Sequence, residues 1–96
     1  MSTRSIFPNL NEVQHVAVIG TGLIGAGWVA QFLLYGLKTS VWDPAPDFED
    51  RLMGQLQDVF SRLHVDQDHQ ARCLNALNFA ENLEAAAAPA QFIQEN

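Results

Sequence analysis

The spacing of apolar positions changes several times along this chain. Val16, Ala17, Val18 and Ile19 form an unbroken apolar run with three β-branched members. That pattern suits a parallel strand buried on both faces, where a continuous run replaces alternation. Beyond it the period lengthens. Leu23, Gly27, Ala30 and Leu34 recur at helical spacing, Trp28, Phe32 and Tyr35 fall on a neighbouring stripe, and Gly36 is a natural stop. Trp28 and Phe32 lie past the first turn and are expected in the core. Lys38, Thr39, Ser40, Val41, Trp42 and Asp43 read as a second strand. Phe48, Leu52, Leu56, Val59, Phe60 and Leu63 then return every three or four residues, which predicts a helix from near Pro46 toward His64. Its charges, Glu49, Asp50, Arg51 and Asp58, are assigned to the opposite, solvated face.

Asp66 or Asp68 is placed to cap a short helical turn, and residues 77–80 read as a third strand. Asn82 caps a brief helix through the alanines, which Pro89 stops, and residues 91–95 read as a fourth strand. Strand and helix thus alternate in the order of one half of a doubly wound fold. The fold class is α/β: a partial Rossmann fold of about four parallel strands with helices, ending before the second half. Residues 1–14 are a polar lead-in, and residues 15–96 form the binding domain, incomplete at its C-terminus. In such a half unit the first two helices cover one face, and the other receives only the helix of residues 82–88. An apolar patch of Val, Ile and Phe side chains is therefore expected on the open face, with an unpaired edge on the fourth strand. Alone, the chain is expected to be marginal, to self-associate, or to depend on a missing remainder.

The first strand runs straight into Gly20, Thr21, Gly22, Leu23, Ile24 and Gly25, a G-x-G-x-x-G sequence. Gly20 permits a tight turn, Gly22 lacks the Cβ that would block a pyrophosphate, and Gly25 lets the following helix lie close to the sheet. The first-turn amides around Leu23 and Ile24 have no intrahelical acceptor and suit phosphate oxygens. The helix dipole adds roughly 0.3–1 kcal/mol for an anion there. Without a ligand, the same glycines would serve as a plain strand-to-helix turn.

Asp43 completes the signature. It falls about twenty residues beyond the glycines, where a carboxylate accepts hydrogen bonds from the adenosine ribose. A 2′-phosphate there would face a like charge, and no Arg immediately follows Asp43 to offset it. The cofactor reading is therefore NAD in preference to NADP. A helix N-cap ahead of Pro44 is the alternative role for Asp43, and the two are compatible.

Composition narrows the class further. Ninety-six residues with 48% hydrophobic content make one small domain, and a formal charge of −6 disfavours nucleic acid or an anionic membrane as partner. No apolar stretch is long enough for a bilayer span, and the first eight residues lack the apolar core of a secretory signal. Cys73 is a single cysteine, so the expected setting is reducing and cytoplasmic. His69 and Cys73 stand one helical turn apart with His64 nearby, but a fourth ligand with suitable spacing is lacking, and no metal site is assigned. Glu95, at the end of the last strand, is either a contact to the nicotinamide ribose or an unpaired surface carboxylate. Neither a nucleophile elbow nor a hydrolytic carboxylate pair is present.

Residues 16–28, the Trp42-Asp43-Pro44 junction, the Asn82-Leu83-Glu84-Ala85 turn and the closing Phe92-Ile93-Gln94-Glu95-Asn96 resemble the start of the 3-hydroxyacyl-CoA dehydrogenase family, nearest its carnitine-oxidising branch. The resemblance implies an NAD-dependent oxidoreductase that converts a 3-hydroxyl, of an acyl-CoA or of carnitine, to a ketone. It implies cofactor contacts at Gly20, Gly22, Leu23, Ile24, Gly25 and Asp43. It also implies a His and Glu catalytic pair, a helical domain and a homodimer, all in sequence beyond residue 96. None of His15, His64 and His69 matches the catalytic position, so no catalytic residue is assigned and the 96 residues alone are expected to be inactive. A non-catalytic NAD-binding module, or one subunit of a split enzyme, is the alternative. A flavin half-domain shares the glycines but not the ending at 92–96.

Overall fold

In the computed structural model, which describes residues 13–96, strands and helices follow one another as β1 (His15–Ile19), α1 (Leu23–Leu34), β2 (Lys38–Trp42), α2 (Phe48–Arg62), α3 (Gln67–Asn75), β3 (Leu77–Phe79), α4 (Leu83–Ala87) and β4 (Phe92–Glu95). The lead-in expected over residues 1–14 falls almost wholly outside the described residues. All strand pairs are parallel, and the sheet order is β3-β2-β1-β4. The chain therefore moves outward from β1 to β3 and then returns to the other side of β1. In open parallel sheets that reversal creates a crevice beyond the carboxyl ends of the strands.

One face of the sheet carries the main core. Val16, Val18 and Val41 pack there with Val29 and Leu33 of α1 and with Leu52, Leu56 and Phe60 of α2. Cys73 of α3 joins them, its thiol donating to the Leu33 carbonyl at 3.5 Å. Each fully buried Leu or Phe contributes roughly 1.5–3 kcal/mol of transfer free energy. The apolar stripe expected for α2 is the observed one, except that Leu63 lies just past the helix end and is exposed. For α1 the face differs from expectation. Ala26, Val29, Ala30, Phe32 and Leu33 turn inward, whereas Leu23 is 82% and Trp28 39% exposed. This helix is apolar nearly all round, so periodicity could not select its buried side. Trp28 covers Phe32 from outside, ring centroids 5.5 Å apart.

Both long helices close in the same way. After α1, Gly36 N–H donates to Leu33 O and Leu37 N–H to Phe32 O; after α2, His64 N–H donates to Ser61 O and Val65 N–H to Phe60 O. This paired closure needs a left-handed residue, supplied first by Gly36 (φ 95°) and then by His64 (φ 55°). At the other ends, Asp66 Oδ1 accepts from His69 N–H and Asn82 Oδ1 accepts from Ala85 N–H, as their sequence positions predict. The segment that Asp66 caps is a nine-residue helix, longer than the expected turn.

The opposite face is covered by α4, whose Ala86 packs with Ile19, Trp42 and Ala80. The apolar patch expected beside it is absent among the described residues. Strand register puts Asn78, Ser40, Ala17 and Ile93 in one row across that face, and only Ile93 in it is large and apolar. The valines of β1 and the phenylalanines of β3 and β4 point the other way, into the main core. Polar contacts fill the row: His15 Nε2 lies 2.9 Å from Ser40 Oγ, which also accepts from Asn78 Nδ2. Burial, aided by the charge of Lys38, pushes the His15 pKa down, so the ring is held toward its neutral form.

Candidate functional site at the first strand-to-helix turn

β1 ends at Ile19, and the chain turns at once. Gly20 adopts φ 89°, and its N–H donates to Trp42 O at 2.9 Å, which ties the turn to the end of β2. Gly25 lies directly over it. A Cβ at Gly25 would stand 2.0 Å from Gly20 O, so α1 reaches this depth only because position 25 has no side chain. Gly22 is different: a Cβ there would meet nothing within 4 Å. Internal packing does not require glycine at that position, whereas close approach of a diphosphate does.

The mouth of α1 is also electrostatically open. Ala26 N–H to Gly22 O is the first backbone bond of the helix, which leaves the amides of Leu23, Ile24 and Gly25 ahead of any intrahelical acceptor. No side chain caps Gly22, and the first turn holds no acid. The helix's own residues therefore leave the partial positive charge of its N-terminus uncompensated, which suits a phosphate group. Ile24 is 72% exposed, so the turn sits at the surface and not in the core.

Asp43 stands immediately after β2, beside this turn. Its Oδ2 accepts from Thr21 N–H at 2.6 Å and from Thr21 Oγ at 3.1 Å, and its Oδ1 accepts from Ala45 N–H at 2.8 Å. The bond to Ala45 makes Asp43 the start of an Asx turn; the N-cap position of α2 belongs to Asp47. A carboxylate offers about four acceptor sites, so roughly one, on Oδ1, stays open for a ribose hydroxyl. Burial works against the charge of Asp43, but the bonds from Thr21 and Ala45, with Arg51 nearby, outweigh it and hold its pKa below the usual Asp value. The group is an anion at neutral pH.

Three contributors were not picked out from the sequence. Thr21, the variable position between the first two glycines, is fully buried and bridges the turn to Asp43. Arg51, assigned above to a solvated helix face, instead reaches back: its Nη2 lies 3.8 Å from Asp43 Oδ2 and 3.4 Å from Thr21 Oγ, and its Nη1 3.2 Å from Asp47 Oδ1. Asn96 clamps the turn from β4, donating through Nδ2 to Gly20 O at 3.0 Å and through its backbone N–H to Ile19 O. Glu95 pairs in register with Ile19 at the same end of the sheet and is exposed. Two shallow grooves, of about 260 and 200 Å³, run along the outer side of α1 by Trp28 and Gln31, and Asp43 lines neither.

A parallel sheet of this order, with a glycine turn at its switch point and an acid at the end of the second strand, defines a dinucleotide-binding domain. The chain belongs to the 3-hydroxyacyl-CoA dehydrogenase family, its residues 15–96 matching the NAD-binding domain. It is 39% identical over 85 residues to an L-carnitine dehydrogenase of Streptomyces coelicolor, covering 88% of this chain and 27% of that protein. A second L-carnitine dehydrogenase, from Pseudomonas putida, is 34% identical over 89 residues, covering 93% and 28%. Among solved structures, M. tuberculosis FadB2 superposes with a TM-score of 0.74 at 25% identity, over 88% of this chain and 30% of that one. The 3-hydroxybutyryl-CoA dehydrogenase of Escherichia coli gives 0.73 at 27%, over 88% and 18%. The chain thus spans about a quarter of the length of the curated relatives it matches. NAD is the cofactor of this domain family, and no helix among the described residues is long and apolar enough to cross a membrane.

Proposed function

We propose that residues 15–96 are the cofactor-holding domain of an enzyme that oxidises a small 3-hydroxy compound to a ketone, with L-carnitine the leading substrate and a 3-hydroxyacyl-CoA the second. The observation that carries the reading is the pairing of an uncapped, surface-exposed helix mouth behind Gly22 with the anionic Asp43 beside it. Gly20, Gly22 and Gly25 shape the turn for the pyrophosphate, the amides of Leu23 and Ile24 meet its oxygens, and Asp43 takes a ribose hydroxyl. Bound NAD supplies the two-electron acceptor; these residues bind it, orient it and keep it at the carboxyl edge of the sheet. The choice of carnitine follows from the similarity to the two L-carnitine dehydrogenases.

These residues are read as carrying no catalytic group. His15 begins β1, at the opposite end of that strand from the glycine turn, and His64 and His69 lie just past the end of α2 and within α3. Proton transfer from the substrate hydroxyl is accordingly assigned to sequence outside this chain, in a cytoplasmic homodimer. Calorimetry with NAD and NADH tests the reading: saturable uptake that weakens at least tenfold in G22V is expected, and no uptake by the unaltered chain refutes it. NADH formation from L-carnitine or 3-hydroxybutyryl-CoA by the 96 residues alone would refute the assignment of catalysis elsewhere.

A further inference from the structure

Arg51 carries an observation that the cofactor reading leaves unused. Its guanidinium stands between Asp43, Asp47 and the Thr21 hydroxyl, at 3.8, 3.2 and 3.4 Å, and its side chain is 37% exposed. Only two of its donor-bearing nitrogens are engaged in these contacts, so part of the fork still faces solvent. Asp43 contributes one negative charge at this spot and Asp47, 75% exposed, another. Arg51 is the cation set against both.

We propose that Arg51 is a specificity-determining residue of the adenosine subsite, where it offsets the charge of Asp43 and gives a 2′-phosphate a guanidinium to bind, so that NADP is taken up measurably although NAD is preferred. The inference rests on the reading of Asp43 as the ribose-binding acid. Arg51 pairs with the same carboxylate that would accept from the ribose, so a 2′-phosphate on that ribose would have the guanidinium as its nearby cation. The planar fork matches a phosphate, and its charge lowers the repulsion that two carboxylates would otherwise exert. With Asp43 and Asp47 against a single cation the local balance stays negative, which keeps NAD ahead.

The quantity to measure is the ratio of the NADP and NAD dissociation constants, by calorimetry at low salt, for the unaltered 96-residue chain, R51Q and R51K. Damage to the turn weakens both cofactors and cancels in the ratio, so the ratio isolates the charge. R51Q is expected to raise it roughly threefold to fivefold, the scale of a partly exposed charge contact, and R51K to restore most of the change. The effect is expected to fade at high ionic strength. An R51Q ratio equal to or below that of the unaltered chain overturns the inference, as does NADP uptake too weak to measure in that chain. Failure of NAD itself to bind would instead remove the cofactor reading beneath it.

Discussion

The two glycines that flank the helix mouth make opposite predictions, and substituting each with alanine separates fold from ligand. A Cβ at Gly25 would lie 2.0 Å from Gly20 O and 2.9 Å from Gly20 C, both backbone atoms that cannot rotate away. Relief requires α1 to rise off the turn that Asn96 and Trp42 hold in place. Overpacking of this kind costs about 1–3 kcal/mol and more where backbone must move. Alanine returns up to about 1 kcal/mol through its better helix propensity. The expected net loss in G25A is about 2 kcal/mol or more, a large share of a small domain's stability. In urea, with a slope of roughly 1–3 kcal/mol/M, the midpoint falls by about 1 M. A Cβ at Gly22 meets nothing within 4 Å, and its φ of −66° is open to alanine. G22A should therefore lose no more than about 1 kcal/mol, the cost of a poorer N-cap, while NAD affinity drops. A G25A midpoint within error of the parent would refute the packing argument, and equal destabilisation by G22A would refute the distinction between the two sites.

Other outcomes follow from the same geometry. Replacing His64 by glycine should stabilise the chain by about 1 kcal/mol, because His64 occupies the left-handed position that Gly36 fills in the matching closure of α1; an unchanged or lower melting temperature would contradict this. Asp43 has a folded-state pKa below its ordinary 3.8, so its contribution is complete above that value and is lost as pH falls through the lower folded one. The stability gap between the parent and D43N should thus be constant from neutral pH to about pH 5 and shrink below it, and a gap that widens on acidification would reverse the sign. N96A should weaken NAD binding without contacting it in this account, by releasing Gly20 O from its clamp, with a loss of about 1 kcal/mol in stability as the companion reading.

Legibility in the sequence was uneven, for physical reasons. The strand, the glycine turn and the capping residues Asp66 and Asn82 act within a few positions of themselves, so local pattern determines them. The inward face of α2 was readable because its polar and apolar residues segregate. That of α1 was not, since Leu23, Trp28 and Leu33 are equally apolar and only close packing against the sheet decides among them. The open sheet face differs from expectation for a related reason. Two-residue periodicity places Val16, Val18, Val41 and Phe79 on one side, which leaves Ala17, Ser40 and Asn78 for the other. The site shows the same division. Gly20, Gly22, Gly25 and Asp43 carry a spacing that chemistry dictates, whereas Arg51 and Asn96 reach the turn from α2 and β4, 30 residues from Thr21 and 76 from Gly20. The useful signal would have been an Arg in the first turn of the helix after the acid.

An amide NMR titration with NAD reports the place of binding on this domain as well as its strength. Saturable shifts are expected to concentrate at Gly22, Leu23, Ile24 and Gly25, with a second group at Asp43 and Ala45, all following one dissociation constant. Saturable shifts centred instead on the outer grooves of α1 by Trp28, Gln31 and Tyr35, with the glycine turn unmoved, would contradict the cofactor reading.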